Sequence, residues 1–143
     1  MNGQKEERLS AILVRQQLYL LRQALKEESI YLIAAALADA LGLSRDLIDQ
    51  DGPVSCFEDS HGRSWRVRAD DSVLEGMPNV DVAVHFVRVF LYGNLEGLSI
   101  EVFLSFRVSV NGQLIKKGWG GRDREVPKIA FDIVKEVMSD VDG

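Results

Sequence analysis

The first third of the chain has the hydrophobic spacing of an α-helix. Between Glu6 and Leu41, apolar residues recur at intervals of three and four, which aligns them along a helix surface. The segment KEES at 26–29 interrupts this stripe, and Ser29 is a residue type that often caps a helix. The pattern therefore predicts a helical layer, and leaves open whether it is one long helix or two consecutive ones. We expect Gly42 to end it and a short turn, capped by Ser44, to follow.

From Pro53 onward the hydrophobic period changes to two, which is typical of β-strands. The segments VSCFE and RSWRVRAD, at 54–58 and 63–70, flank the turn sequence DSHG and predict a first hairpin. Two longer strands, Val80–Tyr92 and Leu98–Val110, are predicted on either side of GNLEG. Asn and Gly tolerate the positive φ angles of a type I′ turn, so Asn111-Gly112 predicts a hairpin into a strand over 114–119.

The end of the chain returns to a helical pattern. Its apolar stripe consists of Val126, Ile129, Ala130, Ile133, Val134 and Val137. The predicted fold class is therefore α+β: an N-terminal helical region, an antiparallel sheet of four to five strands in a meander, and a C-terminal helix packed on the sheet. No shift in composition marks a boundary, so we expect residues 1–143 to form a single domain.

Composition narrows the class of protein. A chain of 143 residues that is 46% hydrophobic and 27% charged has ordinary globular values, and its apolar runs are too short to span a bilayer. The N-terminus lacks the pattern of a signal peptide and there is one cysteine, so we expect a cytoplasmic protein. The formal net charge is −5 and the basic residues are scattered along the chain. Because binding to phosphates needs local positive charge, we do not expect the protein to bind nucleic acid.

The two long strands predict an apolar patch on the outer face of the sheet. If the loop at 93–97 closes the hairpin symmetrically, Val84 pairs with Phe106, Phe90 with Ile100, and Val87 with Phe103. Leu104, Phe106 and Val108 then face the core, while the partner-binding candidates on the opposite face are Val87, Val89, Leu91 and Phe103. Such a patch is covered either within the chain, by the N-terminal helical region or a chain end, or by a protein partner, which includes a second copy in a homodimer.

The segment KKGWGGRDR at 116–124 predicts a weaker site. Glycines between a strand and a helix can expose backbone amides to an anion, and nearby basic residues would add charge. The candidate anion-binding residues are Lys116, Lys117, Gly120, Gly121 and Arg122. The segment matches neither phosphate-binding glycine motif, and a sharp reversal of the chain would also need glycines.

Few residues could support catalysis. His85 is predicted beside Ser105 on one strand face, but the sequence identifies neither an orienting acid nor an oxyanion site. Cys56 is expected opposite Trp65 as a small buried residue. No recognised ligand spacing occurs, so we expect no metal and no cofactor.

The segment Ile33–Asp49 resembles a bacterial helix-turn-helix, and its apolar, small and turn positions are occupied by Leu37, Ala38, Leu41, Gly42, Leu43 and Ile48. The resemblance implies DNA binding. Its second helix would be SRDLIDQD, in which three Asp residues outnumber one Arg and would repel phosphates, so a packing element is the favoured interpretation.

These patterns favour a non-enzymatic protein-binding domain, such as a small acidic chaperone, adaptor, inhibitor or immunity-type protein, that acts through a sheet face. The alternative is a domain that binds a small molecule or an anion, either between sheet and helix or at the GWGGR segment.

Overall fold

The computed structural model describes residues 2–72, 74–94 and 97–142, and it describes their side chains except at 2, 91, 92, 94, 97, 98 and 140–142. Two helices, two short 3-10 helices and six strands follow one another in these residues. They are α1 (Asn2–Ala40), a 3-10 helix (Arg45–Leu47), β1 (Asp49–Asp51), β2 (Val54–Glu58), β3 (Ser64–Ala69), β4 (Val80–Asn94), β5 (Gly97–Val110), β6 (Gln113–Arg122), a second 3-10 helix (Asp123–Glu125) and α2 (Val126–Asp142).

The N-terminal helical region is a single helix of 39 residues that continues through the KEES segment. It ends where the sequence predicts, because Gly42 adopts a positive φ of 74° and the amide of Leu43 donates to the carbonyl of Ala38. Ser44 caps the following 3-10 helix by accepting a hydrogen bond from the amide of Asp46. The second helix of the helix-turn-helix resemblance does not form, because a 3-10 helix and strand β1 take its place.

The fold class α+β is confirmed, but the predicted sheet is wrong in two respects. The sheet has six strands in sequence order, and β3 and β4 are parallel while the other neighbours are antiparallel. The connection 70–79 is long enough to carry the chain back along β3, and its Gly76 carbonyl accepts a hydrogen bond from Arg66. Strand β1, which was not predicted, pairs with β2 at one sheet edge.

Both helices pack on one side of the sheet, which we call the helix face. Helix α1 lies over β2 and β3, α2 lies over β5 and β6, and the two helices contact each other. The core between these layers includes Ile30, Ile33, Leu37, Trp65, Val67, Val82, Val84, Leu104, Phe106, Val108 and Ile133. The other side of the sheet, which we call the open face, carries Ser105 and the exposed Arg107, so the predicted division of β5 into core and outer residues is confirmed.

A β-bulge changes the predicted pairing of the long hairpin. Val84 faces Phe106 and Phe86 faces Leu104, as predicted, but Arg88 instead of Val87 faces Phe103. Val87 is the extra residue, and every later pair is shifted by one position. Beyond the bulge the odd-numbered residues of β4 therefore lie on the helix face.

Candidate interaction surfaces

The four residues predicted as one outer patch do not lie together. Val87 is exposed at the bulge, whereas Val89 pairs with Val102 on the helix face and packs against the core. The backbone of Leu91 pairs with Ile100, and its side chain lies outside the described residues. Only Phe103 remains on the open face, so the predicted patch is replaced by a different set of side chains.

That set is a cluster of two aromatic rings and two arginines on the open face. The rings of Phe90 and Phe103 meet edge to face, with 5.8 Å between their centroids. The guanidinium of Arg88 lies 5.3 Å from the Phe90 centroid, and that of Arg122 lies 5.3 Å from the Phe103 centroid. Arg122 also forms an ion pair with Glu101 at 3.2 Å. The bulge creates this cluster, because it turns Arg88 and Phe90 toward the face of Phe103.

The structure does not bring the predicted anion-binding residues together. Lys116 lies on the helix face, 3.9 Å from the Trp119 ring centroid, and its ammonium is 3.9 Å from a carboxylate oxygen of Glu136 in α2. Arg122 lies over Phe103 on the open face, and Lys117 is exposed. Because Lys116 and Arg122 occupy opposite faces of the sheet, they cannot contact the same small anion.

Gly120 and Gly121, the two glycines predicted to bind an anion, have a packing role. They lie inside strand β6, where Gly120 pairs with Ser105 and Gly121 with Leu104. A Cβ at Gly120 would come within 2.6 Å of the Leu104 carbonyl oxygen, and one at Gly121 within 2.9 Å of the Ile129 side chain. Glycine therefore allows close packing against β5 at one position and against α2 at the other.

His85 and Cys56 are the residues that the sequence offered for chemistry. His85 lies opposite Ser105, as predicted, and its Nδ1 atom is 2.9 Å from a carboxylate oxygen of Asp70. Its imidazole makes no hydrogen bond to Ser105 in the described part of the chain. Cys56 was predicted opposite Trp65 and buried, but it is exposed and lies opposite Arg66. Partial desolvation raises the pKa of the Cys56 thiol, which disfavours the reactive thiolate.

A buried carboxylate organises the first hairpin. Asp59 is 7% exposed and accepts hydrogen bonds from the Trp65 indole at 3.0 Å and from the Arg63 guanidinium at 2.8 Å. The backbone amides of His61 and Arg63 donate to its other oxygen. Burial alone would raise the pKa of Asp59, but these donors outweigh it and lower the pKa to about 2. The cluster joins the turn to the core and is a structural feature.

The largest feature that sequence reasoning missed is the exposed N-terminal half of α1. Residues 3–22, which we call the projecting half, have exposed side chains throughout, whereas residues 30–38 of the same helix are mostly buried. The exposed fractions of its eight large apolar side chains range from 37% to 64%; these are Leu9, Ile12, Leu13, Val14, Leu18, Tyr19, Leu20 and Leu21. The sequence did contain a signal for this surface: the spacing of these eight residues places them on several sides of the helix and not on one stripe.

A cleft of about 380 Å³ lies between α1, just beyond the end of the projecting half, and the bulged part of β4. Arg22, Lys26 and Ser29 of α1 line one wall, and residues 86–89 of β4 line the other. Lys26 also lies 5.8 Å from the Phe86 ring centroid. The projecting half is thus continuous with a cleft that is partly apolar and partly basic.

Among the described residues, no three His, Cys, Asp or Glu side chains are grouped as metal ligands would be. Neither helix, in the same part of the chain, combines the length and hydrophobicity needed to cross a membrane.

Compared with protein-family models, curated proteins and solved structures, the chain matches none of them.

Proposed function

We propose that the chain is a protein-binding domain, of the adaptor, chaperone or inhibitor type, and that its main contact surface is the projecting half of α1. The observation that carries this proposal is the set of eight exposed apolar side chains on a helix segment that no other layer of the described residues covers. Contiguous exposed apolar surface of this kind usually marks an interaction site.

Leaving this segment in water has a cost in free energy. A helix of 39 residues is about 58 Å long, and among the described residues only its C-terminal part packs against the sheet and α2. Most of the stability of a protein helix comes from tertiary packing, which the projecting half lacks in the described part of the chain. A helix with apolar residues on several sides is normally enclosed by other elements. A protein partner would cover these side chains and stabilise the helix at the same time.

The open face supports the same function less strongly. The cluster of Phe90, Phe103, Arg88 and Arg122 combines residue types that are common at the centres of protein interfaces. Its members already pair with one another, so they offer less uncovered apolar area than the projecting half. The open face of the sheet therefore remains the competing location for protein binding.

Position-specific crosslinking in the host organism tests the proposal. A photoreactive amino acid is placed at Leu18 on the projecting half, at Arg107 on the open face, or at the exposed Lys128 of α2 as a control. We expect a discrete protein adduct from position 18 and none from 128. An adduct from 107 but not from 18 would move the surface to the open face, and the lack of an adduct at both would contradict protein binding through either.

A further inference from the structure

Three of the eight exposed apolar residues of the projecting half, Val14, Leu18 and Leu21, lie beside a row of arginines. Together with Ala11, and with Leu25 just beyond the projecting half, they form an apolar stripe with alternating spacings of three and four, which is the spacing of the a and d positions of a coiled coil. Arg8, Arg15 and Arg22 recur every seven residues directly beside this stripe, at the e positions. In the described part of the chain none of these arginines forms an ion pair.

The charge of this segment is opposite to that of the whole chain. From Arg8 to Lys26 there are basic residues and no Asp or Glu, although the formal net charge of the protein is −5. Charges at e and g positions select the partner and the orientation of paired helices. An unpaired row of one sign is therefore complementary to a row of the other sign on a partner.

We propose that the projecting half binds an acidic amphipathic helix of another protein, with apolar residues against the Val14–Leu18–Leu21 stripe and carboxylates against the arginine row. This inference rests on the proposed function and specifies the chemistry of its partner. The continuous helix supplies a preformed surface, so the partner gains both buried apolar area and charge pairs along one line.

A second copy of the chain fits this surface less well. In an antiparallel pair of these stripes, the arginine row of one copy would face that of the other. In a parallel pair it would face the uncharged g positions Ser10, Gln17 and Ala24. An anionic membrane is also disfavoured, because a helix lying in a lipid interface has its apolar residues on one face, whereas Leu13 and Leu20 lie opposite Leu18 on the helix.

The test uses the full-length protein and two designed helical peptides as probes. Both peptides have Leu at every a and d position; one has Glu and the other has Lys at every e and g position. Binding is measured by fluorescence anisotropy at low and high salt. We expect the Glu peptide to bind, the Lys peptide to bind at least about tenfold more weakly, and salt to weaken only the Glu complex.

Two triple variants, each removing three positive charges, test whether the arginine row is responsible for binding the Glu peptide. The triple variant Arg8→Gln, Arg15→Gln and Arg22→Gln should lose about tenfold in affinity for the Glu peptide. The control, Arg107→Gln, Arg124→Gln and Lys128→Gln, removes the same charge from exposed positions elsewhere and should bind like the parent protein.

The outcomes that would contradict the acidic-helix proposal can be told apart. Equal binding of both peptides, or failure of both while position 18 still crosslinks in cells, would reject the acidic helix but keep the protein-binding surface. Sedimentation as a dimer that Leu18→Asp dissociates would identify a second copy as the occupant. Binding to phosphatidylglycerol vesicles that the triple variant loses, with no crosslink at position 18, would reject both proposals.

Discussion

At the scale of single residues, the clearest difference between pattern and structure is Asp59. The sequence places it in the turn DSHG, where a solvent-exposed residue is the usual expectation. In the fold its carboxylate lies under the hairpin and joins Arg63 and Trp65. Sequence periodicity could not reveal this, because burial of a turn residue depends on where the second strand and α2 come to lie.

We expect Asp59→Asn to destabilise the protein and to change how its stability depends on pH. The folded-state pKa of about 2 lies below the ordinary value of 3.8, so the carboxylate contributes stability that is complete above pH 4 to 5 and is lost as pH falls through 2. Such a shift corresponds to about 2 kcal/mol. Urea unfolding at pH 7, 4 and 2.5 should show a gap of that size between parent and variant at pH 7, and a smaller gap at pH 2.5.

The exposed residue Asp71 provides the matched control. Asp71→Asn should leave the unfolding free energy nearly unchanged at all three pH values. If Asp59→Asn behaves like Asp71→Asn, the hydrogen bonds to Asp59 do not stabilise the fold as the geometry indicates.

At the scale of elements, the sequence predicted the strands better than their arrangement. The period-two segments and the Asn111-Gly112 turn are where they were expected, with φ angles of 51° and 80° at the turn. The bulge was also visible, because apolar residues of β4 fall on even numbers through Phe86 and continue at Val87, Val89 and Leu91. That change of parity was interpreted as a second apolar face, whereas it marks an inserted residue.

The parallel pairing of β3 and β4 could not be predicted in this way. Alternation of apolar and polar residues is the same for both strand directions, so it carries no information on direction. The pairing does account for one charged group, since the Asp81 carboxylate of β4 forms ion pairs with Arg66 and Arg68 of β3 at 3.0 and 3.1 Å. All three side chains are at most 21% exposed, so the group is partly buried on the open face.

We expect Gly120→Ala to be destabilising because of the contact between β6 and β5. The added methyl group would meet the backbone oxygen of Leu104 at 2.6 Å, and a backbone atom cannot rotate away as a side chain can. Overpacking of this type costs about 1 to 3 kcal/mol, which thermal or urea unfolding can measure.

Gly3→Ala is the control for this effect, since nothing lies within 4 Å of a Cβ at Gly3 in α1. That change should be neutral or stabilising by up to about 1 kcal/mol, because alanine favours helix. A neutral result for Gly120→Ala would mean that the strands can separate locally, and the packing role of the glycine would be rejected.

At the scale of the whole molecule, composition and fold describe different parts of the protein. The mean values indicated an ordinary acidic globular chain, and residues 30–38 with the sheet and α2 have the core that this implies. These mean values do not reveal the projecting half, where apolar and basic residues are concentrated and no other layer of the described chain covers them. A hydrophobic stripe in a sequence predicts that its residues are buried in a contact. It does not show whether that contact is made by another element of the same chain or by a different protein.

This division of α1 leads to an expected gradient in hydrogen exchange along one continuous helix. Amides in residues 3–22 are held by helix bonds alone, so local opening should release them, whereas those in 30–38 are held by the core and should open only with global unfolding. We expect exchange at least about a thousandfold faster in the projecting half, a difference of about 4 kcal/mol in opening free energy, measurable by mass spectrometry of proteolytic fragments. Adding the acidic helical peptide should slow exchange in residues 3–22 and leave 30–38 unchanged. Equally slow exchange along the whole helix in a dilute monomer, with no partner present, would show that its N-terminal half is stabilised within the chain, and the argument for a binding surface there would fail.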